Sequence, residues 1–304
     1  MKPLELGWGN PTFLLPYWNE IDLRFPSSIA NHYIFGHIAE LEQSIKKLHC
    51  QEKNANVSNK HIVIGNGATQ LLVGILKILN KPVTAREPYF SRFRNFAEVA
   101  GVSWNRQENG IELVTTPNNP DGSVTIVEVE SVLNPILIHD LSYNWLQYTV
   151  PVEYDKEIMI FSLAKCTGHA STRIGWAILK DEALAGKLKD YVEYSTCGVS
   201  IEAQTKANAL IESQFNSKNT VFQFGKEILD SRHTILNNIN LPFKKLNNTG
   251  MFLWLTMDNY DAFFKEKNIA YTDGSTMGSP GHARINLGCS EEVFEEFIKR
   301  IKRD

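Results

Sequence analysis

The chain has 304 residues, 43% hydrophobic and 21% charged, which is enough apolar content for a full buried core and excludes a disordered tail. Lys plus Arg number 31 against 34 Asp plus Glu, and the net charge of -3 argues against a dedicated surface for nucleic acid or an anionic membrane. The apolar run from Leu71 to Leu76 is broken by Lys77, well short of the ~20 residues that a membrane span requires.

The N-terminus, Met1 to Glu5 followed by Gly7-Trp8-Gly9-Asn10-Pro11, has no continuous apolar segment of the kind a secretory signal needs, so the expected compartment is the cytoplasm. Cysteines 50, 166, 197 and 289 form no CxxC pair and have no histidine at metal-finger spacing; neither a disulfide framework nor a metal site is expected. Short runs rich in β-branched residues then recur: His61-Ile62-Val63-Ile64, Ile111 to Thr115, Pro135-Ile136-Leu137-Ile138 and Glu157 to Phe161. They are separated by helix-length segments, as strands buried on both faces should be, and predict an α/β fold with a mostly parallel central sheet. Polar residues follow the strand ends: Gly65-Asn66-Gly67, Pro117-Asn118-Asn119-Pro120, His139-Asp140 and Ser162 to Lys165. In open α/β sheets ligands bind outside the carboxyl ends of the strands.

From Asp181 to Tyr194 and from Ile201 to Asn237 the spacing of apolar residues is helical. Gly250 to Leu255 and Ala283 to Leu287 read as strands of a smaller domain, closed by a helix after Ser290 with Glu291 and Glu292 in its first turn.

A lysine after a strand is ordinarily a solvated surface residue. Lys165 is accompanied by Asp140, Asn119, a Gly-rich turn and Arg173 eight residues on, and together these groups match what pyridoxal phosphate requires. That cofactor needs a lysine to form a Schiff base and a carboxylate to keep its ring nitrogen protonated. Four stretches resemble the fold-type I aminotransferases, and more narrowly the alliinase and tryptophan-pyruvate aminotransferase family: Gly65 to Leu71, Thr116 to Gly122, His139 to Tyr143 and Phe161 to Trp176. Thr167-Gly168-His169-Ala170 in the last stretch carries the narrower likeness, and the resemblance extends from about Gly7 through Arg284.

The resemblance implies a large domain over residues 31–195 that binds pyridoxal 5'-phosphate and a small α/β domain built from 196–304 with the N-terminal segment 1–30 beside it. It makes Lys165 the Schiff-base lysine and proton carrier, Asp140 the partner of the ring nitrogen, and Asn119 and Tyr143 the donors to the phenolic oxygen. Gly67, Ala68 and Thr69 would cradle the phosphate at a helix N-terminus with Ser162 and Arg173. Tyr89 would stack on the ring, the alternative being ordinary core packing; for Asp140 the alternative is a helix N-cap. Arg284 would bind the substrate α-carboxylate, for which its planar fork is suited, with Asn119 and Gly9 also at the substrate. Asn10 stands where the family usually has an acidic residue.

The resemblance also implies a homodimer with shared sites, Tyr33, or its rival His32, reaching the partner's phosphate. Cys166 and His169 are given no chemical role, since no third group orients them. Trp8, Tyr17, Trp18, Trp145 and Tyr148 are candidates for an apolar substrate pocket, with packing as the alternative.

The expected activity is transfer of the amino group of an L-amino acid, aromatic and tryptophan-like, to a 2-oxo acid such as pyruvate. An alliinase-like carbon-sulfur lyase acting on cysteine S-conjugates or sulfoxides uses the same residues; it comes second because the chain shows no Cys-rich module or secretory segment. A noncatalytic cofactor-binding protein is the reading from another class. Its sign would be a missing lysine, aspartate or phosphate arginine, and none is missing.

Overall fold

The computed structural model describes residues 3–9, 11–18, 36–125 and 133–302. In chain order the first elements are β1 (Leu4–Glu5), α1 (Leu15–Trp18), α2 (Ala39–Glu52), β2 (His61–Gly65), α3 (Gly67–Leu79), β3 (Val83–Ala85), α4 (Phe93–Ala100), β4 (Ile111–Thr115) and β5 (Ile136–Asp140). They continue with β6 (Ile158–Ser162), α5 (Leu163–Cys166), β7 (Gly175–Leu179) and α6 (Glu182–Thr196). Six of these strands form one sheet in the order β2-β7-β6-β5-β4-β3. β3 through β6 run parallel, whereas β7 is antiparallel to both of its neighbours. The four strands read from the sequence are all present. The sequence does not separate β7, the run Gly-Trp-Ala-Ile-Leu, from the Lys165–Arg173 stretch that leads straight into it, and three-residue β3 is too short for periodicity to mark.

α3 packs on β2, β6 and β7 of this sheet and α6 on β2 and β7. α3 packs closely on α6 because Gly74 leaves room: a Cβ there would lie 2.5 Å from the Tyr191 ring. Asp181 starts α6 by accepting from the Leu184 N–H at 3.0 Å, a side-chain N-cap. From α2, His49 reaches into a fully buried aromatic cluster of Trp145, Phe161 and Trp176. The Trp176 indole N–H can only donate, and it meets His49 Nε2 at 2.8 Å. The proton therefore sits on Nδ1, which donates to Asn54 Oδ1 at 2.6 Å.

The remaining elements are α7 (Ile201–Phe215), α8 (Val221–Asn237), β8 (Lys244–Lys245), β9 (Phe252–Thr256), α9 (Tyr260–Glu266), β10 (Ile269–Ala270), β11 (Thr272–Asp273), β12 (His282–Asn286) and α10 (Glu291–Lys302). A second, antiparallel sheet has the order β11-β12-β9-β8, while β1 pairs in parallel with β10. α8 begins with a capping box between Thr220 and Gln223. Its buried Arg232 donates to the carbonyls of Leu287 (2.6 Å) and Cys289 (2.7 Å), tying α8 to the chain between β12 and α10.

Burial pushes the His49 imidazolium down to about 4. Above pH 6.5 the ring is neutral both folded and unfolded, so stability is fully present. As pH falls through 6.5 toward 4 only the unfolded chain takes the proton, and this one group removes about 2 kcal/mol by pH 5. The melting temperature should drop between pH 7 and pH 5, and His49→Gln, which keeps an acceptor for Trp176, should flatten that slope. Equal slopes for the two proteins would refute the assignment.

Candidate active site

Parallel strands that end together create the site. Thr115 at the end of β4 stands opposite Asp140 at the end of β5, and Asp140 is level with Ile160, two residues before Ser162 at the end of β6. These carboxyl ends open onto a cavity whose other walls include Ala68, Thr69, Phe90, Asn119, Lys165 and Arg173. A second cavity, bounded by Gly7, Trp8, Gly9, Arg92, Tyr271 and Arg284, shares Phe90, Asn119, Tyr143 and Lys165 with the first. Lys165 thus stands where the two meet.

The Lys165 ammonium donates to the Gly9 carbonyl and lies 5.6 Å from the centre of the Tyr143 ring. Burial chiefly, then the positive charges of Arg284 and Arg173, push its pKa down to about 7 against the opposing pull of Asp140. Asp140 Oδ1 accepts from Ser142 through its N–H (3.1 Å) and hydroxyl (2.6 Å), an Asx-type turn. Burial holds this carboxyl above its ordinary range, so a cation at its free edge would favour the ionised form. Burial likewise raises the Tyr143 phenol, which remains protonated and able to donate.

The N-terminus of α3 faces Arg173 across a gap that only glycine leaves open. Gly67 has φ +80°, and a Cβ on it would lie 2.4 Å from Arg173 Nη2. Arg173, itself left-handed at φ 56°, is steadied by donating to the Ala170 carbonyl at 3.0 Å. The first N–H groups of a helix have no intrahelical partner, so this end presents donors and the positive end of the helix dipole beside a guanidinium. Together they make an anion cradle.

On the other side of Lys165, Arg284 projects from β12. It donates to Asn119 Oδ1 (2.6 Å), the Gly7 carbonyl (2.8 Å) and Thr272 Oγ1 (3.1 Å), and its guanidinium lies 4.2 Å over the Phe252 ring. Burial lowers its pKa to about 10. Among the described residues no carboxylate pairs with it, and its Nε is buried without a hydrogen-bond partner. A buried guanidinium in that state is matched to an anion from outside the chain.

Most of the residues singled out from the sequence therefore converge: Gly9, Gly67, Ala68, Thr69, Asn119, Asp140, Tyr143, Ser162, Lys165, Arg173 and Arg284 all border the two cavities or the cradle. Tyr89 does not. Its ring packs on Trp104 at 5.2 Å beside Arg94 and lines a separate hollow with Arg86 and Glu112, so the stacking role expected of it is corrected. Its neighbour Phe90 instead lines both cavities with Lys165. Tyr33, His32 and Asn10 lie outside the described residues. Of the five aromatics considered for a substrate pocket, only Trp8 lines it; Trp145 is core, and Tyr17 and Trp18 pack edge to face at 5.0 Å. Ser142 was missed although its spacing after Asp140 is a turn signature, and Thr115 was missed because nothing local marks it.

The donor set fits pyridoxal phosphate. The glycine cradle with Arg173 suits a doubly charged phosphate, Asp140 suits a protonated ring nitrogen, and Lys165 lines the same cavity as both. Residues 5–249 match the Allinase family model. The chain is 30% identical to tryptophan aminotransferase-related protein 3 of Arabidopsis thaliana, over 99% of this chain and 78% of that one. It is 32% identical to an alliin lyase of Allium cepa var. aggregatum, over 75% of this chain and 60% of the other. Its fold superposes on aspartate aminotransferase from Thermus thermophilus with a TM-score of 0.80 at 16% identity, covering 98% and 91% of the two chains.

Gly67→Ala tests the cradle, because the added methyl must displace Arg173 and strain a left-handed residue. Fluorescence titration should show pyridoxal phosphate binding at least about tenfold weaker; unchanged affinity would remove the cradle from the site.

Proposed function

Since this chain belongs to the alliinase family of fold-type I pyridoxal-phosphate enzymes, we propose that it is an aminotransferase that passes the amino group of a tryptophan-like L-amino acid to a 2-oxo acid such as pyruvate. The observation that carries the reading is a pair of adjoining cavities that share Lys165, its pKa pushed down to about 7, with the Asp140 carboxylate in one and in the other a buried Arg284 that no carboxylate among the described residues pairs with.

When bound, pyridoxal phosphate supplies an electron sink that makes the Cα–H of an attached amino acid acidic. Gly67, Ala68, Thr69, Ser162 and Arg173 would hold its phosphate, Asp140 the protonated ring nitrogen, and Asn119 and Tyr143 the phenolic oxygen. Phe90, which lines the same cavity, would supply an apolar wall for the ring. Arg284 binds the substrate α-carboxylate with its forked N–H groups, Gly9 lies beside the entering amino acid, and that fixes which Cα bond faces Lys165. A lysine with pKa about 7 is half neutral at physiological pH, so its amine takes the Cα proton and can return it to a neighbouring carbon. Trp8 at the mouth offers an aromatic face to a bulky side chain. Two such chains would form a homodimer, Tyr33 or His32 completing the partner's phosphate site.

The second reading, a carbon-sulfur lyase, is favoured by the comparable likeness to the onion alliin lyase. Expulsion of a β-substituent begins with the same proton removal by Lys165. The two part at the fate of the amino group. Mixing the cofactor-loaded protein with L-tryptophan and no oxo acid should bleach the visible band until pyruvate restores it. A band that persists while an S-alkyl cysteine sulfoxide yields pyruvate and ammonia would overturn the transferase and leave the lyase. Lys165→Ala should lose the wild-type visible band, and turnover by the wild type should fall as pH drops through about 7, where the amine gains its proton.

A further inference from the structure

α5 is four residues long, a single turn that hydrogen bonds of its own cannot secure, because nucleating one turn is unfavourable and its last carbonyls have no partner within it. Its carbonyls are satisfied from elsewhere. The Tyr148 hydroxyl donates to the Lys165 carbonyl at 2.9 Å, the Gln147 side-chain NH2 donates to the Lys165 and Cys166 carbonyls at 3.0 Å each, and the Trp18 indole donates to the Thr167 carbonyl at 2.9 Å. Gln147 and Tyr148 are both almost completely buried. Because two carbonyls face the Gln147 amide, its NH2 group must be the end turned toward them; its oxygen is buried without a partner.

These two side chains belong to the segment that also carries Asp140 and Tyr143. That segment folds on itself through N–H groups of Asn144, Trp145 and Tyr148 donating to the carbonyls of Leu141 (3.0 Å), Tyr143 (2.9 Å) and Trp145 (2.9 Å). It is pinned in the core by Trp145, whose indole stacks on Phe222 at 5.5 Å, and the Tyr148 ring meets Tyr143 edge-on at 5.3 Å. One rigid nine-residue stretch, from Asp140 to Tyr148, thus provides the carboxylate at one end and grips the lysine's main chain at the other.

We propose that Gln147 and Tyr148 are positioning residues: by holding the main-chain carbonyls of Lys165 and Cys166 they set where the Lys165 amine stands relative to Asp140 and Tyr143. Neither touches the reacting atoms. The proposal rests on Lys165 being the reactive lysine. Burial keeps the Tyr148 phenol protonated far above neutrality, so it remains a donor at every working pH.

The test uses full-length, cofactor-loaded protein and the near-isosteric variants Tyr148→Phe and Gln147→Met, singly and combined. Each removes donors while keeping bulk, so folding survives. The double variant should lose about tenfold in kcat with KM within about twofold, since misplacement acts on the proton transfer and not on carboxylate binding. The pH midpoint of the bound cofactor's visible band should move by about half a unit or more, because the amine's surroundings change. A residue with a merely structural role would lower the melting temperature and leave the midpoint and the kcat-to-KM split unmoved, and that result overturns the proposal. Lys165→Ala run alongside separates the two levels. If it retains the wild-type band, the reading of Lys165 itself falls and takes this proposal with it; if it loses the band while the double variant matches wild type, only the clamp is overturned.

Discussion

The register of three parallel strands governs this molecule. β4 and β5 end level at Thr115 and Asp140 while β6 runs two residues further to Ser162, so all three open at the carboxyl edge of the sheet and the following loops leave from that edge. A one-residue slip of β5 would turn Asp140 to the other face and remove the only carboxylate among the described residues that lines the first cavity with Lys165. The aromatic cluster around His49 holds the register from below. It joins α2 to β6 and β7 through Phe161 and Trp176, and to the Asp140–Tyr148 segment through Trp145.

Charge is the second constraint. Lys165, Arg173 and Arg284 are brought to one pair of cavities with Asp140 as the counter-charge, so the site has an excess of positive charge in a poorly solvated place. Such an excess is unfavourable for the folded chain alone: burial is the main cause of the depressed lysine and arginine pKa values, and for Lys165 the charges of Arg284 and Arg173 add to it. A phosphate and a carboxylate delivered from outside would relieve it. The same geometry explains why the carbonyls of Gly7 and Gly9 lie against Arg284 and Lys165, since main-chain oxygens are the neutral acceptors available to these cations.

Much of the site could be read directly because its residues sit in short local motifs. Asp140 follows a strand of β-branched residues, Gly67 opens a helix, and Lys165 and Arg173 are eight residues apart around one turn. Local spacing does not report which way an individual side chain faces in an irregular segment. Tyr89 and Phe90 are adjacent aromatics in a non-helical turn, and only the packing of Trp104 and Arg94 decides that Tyr89 is taken up by the core. The same limit hid β7: a buried strand of five residues looks the same as the end of a catalytic loop until its antiparallel neighbours β2 and β6 are in place.

The sequence by itself determined the α/β class, the positions of the main strands and helices, and the residue types that a pyridoxal-phosphate site requires, because these depend on periodicity and on chemistry carried by single side chains. Tertiary structure alone decided what depends on distant parts of the chain meeting. Arg284, 165 residues after Asn119, hydrogen-bonds it across the substrate side, Gly9 reaches Lys165, and Gln147 and Tyr148 grip the turn that bears the lysine. Those contacts form only when two sheets and the N-terminal strand have packed, so no local pattern in the chain carries a trace of them.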